Sequence, residues 1–107
     1  MNKPITINLA HYKFKNVNVF VGEDYGKLVR KYSKVDELEW ENYIVIKIPD
    51  TIFSVSPTFF IGFLQPTLIK LGRTLFKLRI HLEGNVTVAE QGFNEFIDRT
   101  VRELHGK

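Results

Sequence analysis

The fold is decided by residues 43–72, which read YIVIKIPDTIFSVSPTFFIGFLQPTLIKLG. Residues 43–48 are almost all β-branched or aromatic, a composition that predicts a central strand covered on both faces. Ser56 is a favoured helix N-cap, and Pro57 is favoured at the first helical position, where no backbone N–H is needed. Gly72 is typical of the residue that stops a helix. The segment therefore predicts a buried strand followed by a helix over residues 57–71.

The predicted helix is apolar on nearly all sides, which leaves two interpretations open. In the first interpretation, which the composition favours, it is a central helix that is buried on several sides. In the second, one flank of the helix is exposed. A chain of 107 residues has difficulty covering such a helix all round, and large exposed apolar surfaces mark interfaces. We therefore predict that this helix contacts a protein partner, or a second copy of the chain, through one flank and the turn in front of it. The predicted partner-binding residues are Ser56, Pro57, Thr58, Phe59, Phe60, Phe63 and Thr67.

Outward from this segment, the period of the apolar residues predicts the other elements. Alternating apolar and polar residues predict three further strands, over residues 5–9, 17–21 and 78–82. The first two of these strands are predicted to form a hairpin. Apolar residues at helical spacing predict two further helices, one over 22–32 and one that opens at the capping box Thr87-Val88-Ala89-Glu90 and extends to Leu104. The order β-β-α-β-α-β-α predicts an α/β fold with a four-stranded mixed sheet and three helices, in a single domain over residues 1–107.

The composition argues against several classes of function. The absence of cysteine excludes disulfides, thiol catalysis and cysteine-ligated zinc. The glycines and serines form no nucleotide-binding or nucleophile motif, so no enzyme, catalytic residue, cofactor or metal site is predicted. The N-terminus lacks the apolar stretch of a signal peptide, and no apolar run reaches the roughly 18 residues of a membrane span. We therefore expect a cytoplasmic protein that does not contact a membrane.

The net charge of +3 makes the chain mildly basic, but acids are interleaved with the lysines and arginines. Such patterning favours solvated surfaces over a phosphate-binding patch, so nucleic acid is not the predicted partner. A weak nucleic-acid-binding role stays as an alternative. It would use Lys13, Lys15, Arg30, Lys31 and Lys34.

The turn before the long helix also carries a family resemblance. The strand at 43–48, Asp50 and the run Ser56-Pro57-Thr58-Phe59 resemble the STAS-like domain family of unknown function. That family is similar to the STAS domains of anti-sigma-factor antagonists. The resemblance extends over residues 17–103 and implies a STAS-like fold. It also implies a regulatory module that docks, through the helix starting at Pro57, onto a kinase-like ATPase or an anti-sigma-type partner.

In the antagonists, a partner of this class phosphorylates a serine at the helix start, and the added charge switches binding off. Pro57 takes the place of that serine here, with Val55 and Thr58 in place of the flanking Asp and Gly. The resemblance therefore leaves Ser56 and Thr58 as candidates for phosphorylation, although an N-cap and an ordinary first-turn residue are the plainer interpretation. The alternative function is a small phage or mobile-element inhibitor of a host protein machine, which the short length and the missing phosphoserine favour.

Overall fold

The computed structural model describes residues 4–13, 18–38 and 43–105. Its strands are β1 (Ile5–Asn8), β2 (Val19–Phe20), β3 (Ile44–Ile48), β4 (Ser54–Val55) and β5 (Ile80–Gly84). Its α-helices are α1 (Glu23–Ser33), α2 (Val35–Leu38), α3 (Pro57–Leu71), α4 (Arg73–Arg79) and α5 (Glu90–His105). Two 3-10 helices, Leu9–Tyr12 and Val86–Val88, follow β1 and precede α5.

Within these residues the strands form two parallel sheets, and not the single mixed sheet of four strands that the sequence predicts. The central sheet has the order β1-β3-β5, and β2 pairs with β4 in a separate sheet of two strands. The predicted hairpin between the first two strands is therefore wrong. After β1 the chain enters a 3-10 helix that buries Leu9, so it leaves the sheet before it can turn back beside β1. Helices connect the central strands, as parallel pairing requires.

The α/β class is confirmed, but the described residues contain five α-helices where three are predicted. The additional helices, α2 and α4, are only four and seven residues long. Helix α2 lies in a charged stretch that reads as a connection, although Val35 within it is fully buried. Helix α4 includes Leu78, so the last strand begins only at Ile80.

Helices cover one face of the central strand β3, and its other face is covered only in part. Its three isoleucines are fully buried against the helices, whereas Lys47 on the opposite face is exposed. The residues in register with Lys47 are Asn8, which is half-buried, and Glu83, which is exposed. The prediction of a strand covered on both faces is therefore confirmed only in part: on the second face Val45 is buried at 8% exposed, whereas Lys47 is exposed beside polar neighbours.

Helix α3 is the middle helix of the layer and contacts both α1 and α5. Its predicted bounds and caps are confirmed: Ser56 Oγ accepts a hydrogen bond from Phe59 N at 3.2 Å, and Gly72 N donates to Leu68 O at 2.9 Å. One hydrophobic core includes residues from every described strand and α-helix. The described elements therefore fold around α3 as a single unit.

Two glycines allow α1 and α3 to touch backbone to backbone. A Cβ atom added to Gly26 would lie 2.1 Å from Phe59 O, and one added to Gly62 would lie 1.9 Å from Glu23 O. No side chain fits at such distances, so glycine is required on both helices. This contact fixes the position of α1 against the central helix.

A buried arginine joins three helices behind this contact. Arg30 of α1 donates hydrogen bonds to Phe63 O at 2.9 Å and Thr67 Oγ1 at 2.8 Å in α3, and its guanidinium also pairs with Asp36 of α2. A charged group is stable in such a buried position only when it is hydrogen-bonded and paired. Arg30 therefore has a structural role in the core.

Candidate functional site

The predicted partner-binding flank of α3 lies inside the protein. Phe59, Phe60, Phe63 and Thr67 each have 0% of their surface exposed. Phe60, for example, packs edge-on against Phe93 of α5, with ring centroids 5.1 Å apart. The prediction of an exposed flank is wrong, because α1 and α5 cover the helix from both sides, and the alternative of a buried central helix is confirmed. A partner or a second copy cannot reach this flank unless the core opens.

The start of the same helix remains accessible. Thr58 is exposed, and Ser56 and Pro57 are half-buried; we call these three residues the front turn. Ser56 Oγ caps the helix and lies 2.9 Å from Thr58 Oγ1. Thr58 Oγ1 in turn accepts a hydrogen bond from Gly22 N at 3.0 Å. Because α1 begins directly after Gly22, the Thr58 hydroxyl connects the starts of α1 and α3.

The two helices that meet at the front turn point in the same direction. Gly22 contacts Thr58 at their starts, and Arg30 contacts Thr67 about two turns further along both helices. The positive ends of two helix dipoles therefore lie near Thr58, which favours a negative charge there. Two carboxylates in the first turn of α1 oppose this effect. A phosphate on Thr58 would thus be attracted by the dipole of α1 and repelled by the two carboxylates at the same end of that helix.

Three exposed apolar side chains lie around the front turn. The exposed fractions are 42% for Val19, 54% for Val21 and 68% for Phe53, and we call these residues the front patch. Val19 pairs in register with Ser54 in the small sheet, Phe53 N donates a hydrogen bond to Asn18 O at 2.7 Å, and Ser56 N donates one to Phe20 O at 2.9 Å. Sequence reasoning missed this patch, because the pairing of β2 with β4 that assembles it has no local signal.

A shallow groove of about 260 Å³ lies beside the front turn. Ser56, Pro57 and β4 border it together with Gln91 and Glu95 from the first half of α5. Gly92 allows α5 to approach this closely, since a Cβ atom there would lie 2.6 Å from Val55 O. The accessible surface at the front turn is therefore built from three separate parts of the chain.

The structure separates Arg30 from the other cations of the nucleic-acid alternative. Arg30 is buried and its guanidinium is engaged in the core, so it cannot contact a phosphate chain. Lys31 and Lys34 are exposed, and Lys13 is half-buried at the surface. Lys15 lies outside the described residues.

The described histidines, aspartates and glutamates form no group of three that could hold a metal ion. His81 instead stacks flat on Tyr43, with ring centroids 4.5 Å apart, and its Nε2 atom lies 2.9 Å from Leu78 O. In the described part of the chain, no helix combines the length and the apolar character needed to cross a membrane.

No known protein family, curated protein or solved structure matches the chain.

Proposed function

We propose that the chain is a non-catalytic regulatory module that binds a partner protein through the front patch and the front turn. The observation that carries this proposal is the exposure of Val19, Val21 and Phe53 around one turn. Single exposed apolar residues are ordinary on protein surfaces. A cluster of large ones beside an accessible turn is typical of a protein interface.

The backbone of the small sheet adds a second means of binding. Strands β2 and β4 contain two residues each and, within the described chain, are paired in the sheet only with each other. The unpaired backbone groups at a sheet edge can accept a further strand from another protein.

The partner class comes from the STAS-like resemblance, which implies a kinase-like ATPase. Thr58 is the more accessible of the two candidate hydroxyls, since it is exposed and Ser56 is half-buried. Phosphorylation of Thr58 would place up to two negative charges beside an apolar binding surface. Such a charge weakens apolar docking, so Thr58 is proposed as the residue through which binding is switched off.

The proposal is tested by partner capture from the native cell, with Leu78 as the matched control. The tagged full chain is cross-linked and purified, and the bound protein is identified by mass spectrometry. The Phe53→Ser variant should lose this protein, because its apolar side chain is the most exposed of the front patch. The Leu78→Ser variant should retain it, since Leu78 is similarly exposed at 62% but belongs to α4. Equal capture by both variants would refute the assigned surface.

The regulatory part is tested once the partner is identified. The full chain is incubated with that partner and ATP, and the modified residue is located by mass spectrometry. We expect phosphate on Thr58, and we expect the Thr58→Glu variant to lose binding. Undiminished binding by Thr58→Glu would show that charge at this residue does not switch the interaction.

A further inference from the structure

A groove of about 450 Å³ lies between the 3-10 helix after β1 and one face of α1. Three of its lining residues are tyrosines, Tyr12, Tyr25 and Tyr32, and Leu28 and Val29 supply aliphatic surface. Its volume lies within the roughly 300–1,000 Å³ that is typical of small-molecule sites. None of its lining residues belongs to the front turn or the front patch.

One tyrosine of this groove is held rigidly by the core. The ring of Tyr25 stacks on Phe20 with centroids 5.0 Å apart and planes 15° apart. Its hydroxyl donates a hydrogen bond to Tyr12 O at 2.7 Å, which ties the 3-10 helix to α1. The inner wall of the groove at Tyr12 and Tyr25 is therefore in place before a ligand arrives, and this lowers the entropic cost of binding.

Another tyrosine has a mostly free surface. Tyr32 is 65% exposed and Leu28 is also exposed, so neither side chain is covered by the core. An aromatic ring in this position offers its face to a planar ligand, and base–aromatic stacking is a favourable interaction of this kind. The exposed rim therefore suits a flat aromatic group.

The charges at the groove favour an anion. Lys13 lines it with its Nζ atom 3.2 Å from the neutral amide oxygen of Asn18, and none of the lining residues is acidic. Lys31, the residue before Tyr32 in α1, is exposed but does not line the groove. The acidic residues Glu23 and Asp24 precede Tyr25 in the first turn of α1, but neither lines the groove, and Glu23 Oε1 lies 3.6 Å from Lys27 Nζ. A negative group near Lys13 is therefore attracted without direct repulsion from the groove wall.

We infer that this groove binds a nucleotide unit, with the base stacked on Tyr32 and the phosphate paired with Lys13. A free nucleotide and a single strand of nucleic acid share this chemistry. The inference revives part of the nucleic-acid alternative, since the fold brings Tyr12 and Lys13 together with Tyr25 and Tyr32 of α1.

The test is a fluorescence anisotropy titration of a labelled single-stranded oligothymidylate with the full chain at about 50 mM salt, where phosphate contacts are strong. We expect Tyr32→Ala to weaken binding about tenfold or more through lost stacking. Lys13→Ala should weaken binding and also reduce its dependence on salt. Tyr43→Ala should bind like the parent chain, since Tyr43 is an exposed tyrosine outside the groove. Circular dichroism confirms that each variant is folded.

The competitor distinguishes the two sources of the ligand. Displacement of the probe by thymidine monophosphate assigns a free nucleotide, and displacement by unlabelled oligothymidylate alone assigns a single strand. The inference is overturned if the probe does not bind, or if Tyr32→Ala and Lys13→Ala bind it unchanged. It is equally overturned if a labelled proline-rich peptide, the other ligand that aromatic grooves accept, binds in a Tyr32-dependent way while the oligothymidylate does not.

Discussion

The flank of α3 and the front patch are both apolar, but only the front patch can meet a partner. Phe60 and Phe63 lie on the middle helix of a layer, and the neighbouring helices cover them completely. Phe53 and Val21 lie beside a sheet of two short strands and remain more than half exposed. The difference teaches that hydrophobic content does not locate an interface. An apolar residue is available to a partner only when no other element of the same chain covers it.

The largest effect is expected from truncating one phenylalanine in each region. Phe60→Ala leaves a cavity in the core and should lower the free energy of unfolding by about 3–5 kcal/mol. Phe53→Ala removes an exposed ring and should change it by less than about 0.5 kcal/mol. Urea denaturation measures both values. Similar losses for the two variants would mean that the regions do not differ as described.

Gly62→Ala should lower the free energy of unfolding by about 3 kcal/mol, because the added methyl group would collide with the backbone of α1. This contact holds one of the covering helices in place, so the variant tests why the α3 flank is buried. Pro66→Ala is the control, since Pro66 is an exposed residue of the same helix. It restores a backbone donor for Gly62 O and should not destabilise the protein. Thermal unfolding that ranks the two variants in the opposite order would contradict the close contact.

Arg30→Met should cost about 2 kcal/mol of stability, because it removes charge-assisted hydrogen bonds to α3 while keeping most of the side-chain volume. The neighbouring Lys31→Met is the control, and a change within about 0.5 kcal/mol is expected at that exposed site. Chemical denaturation of the two variants gives the comparison. No difference between them would show that Arg30 does not support the buried side of α3.

Thr58→Val should have the smallest effect and lower the free energy of unfolding by about 1 kcal/mol. It keeps the side-chain shape but removes the oxygen that accepts the hydrogen bond from Gly22 N. The accessible end of α3 should then be held less firmly than its buried flank. Amide hydrogen exchange measured by NMR should be faster at Gly22, and Thr74→Val, an exposed change in α4, should leave it unaltered. Unchanged exchange in both variants would show that the hydroxyl does not connect the two helices.

The sequence predicted α3 well, because its signals are local. Ser56, Pro57 and Gly72 act within one turn of the helix ends, and the structure confirms all three at the predicted positions. The α/β class followed from the alternation of apolar periods, which also depends only on near neighbours in the chain.

Strand pairing and the accessible surface could not be predicted in the same way. The register of Val19 with Ser54 and the bond from Gly22 to Thr58 join residues far apart in sequence. The burial of Phe60 depends on Phe93, which belongs to a different helix. Such contacts follow from how the helices and strands assemble, so a pattern of apolar spacing can identify an apolar face without showing what covers it.

The all-parallel pairing of the strands has a consequence for how the chain folds. Ile44 pairs with Ile5 on one side and Ile80 on the other, and a helical crossover separates it from each partner. No two neighbouring strands can therefore form a local nucleus, and loop-closure entropy must be overcome before any strand pair forms. On the ribosome, the phenylalanine-rich helix is complete before the final strand has been synthesised. During that interval its rings lack their full cover, so chain elongation is the stage at which this protein is most exposed to aggregation.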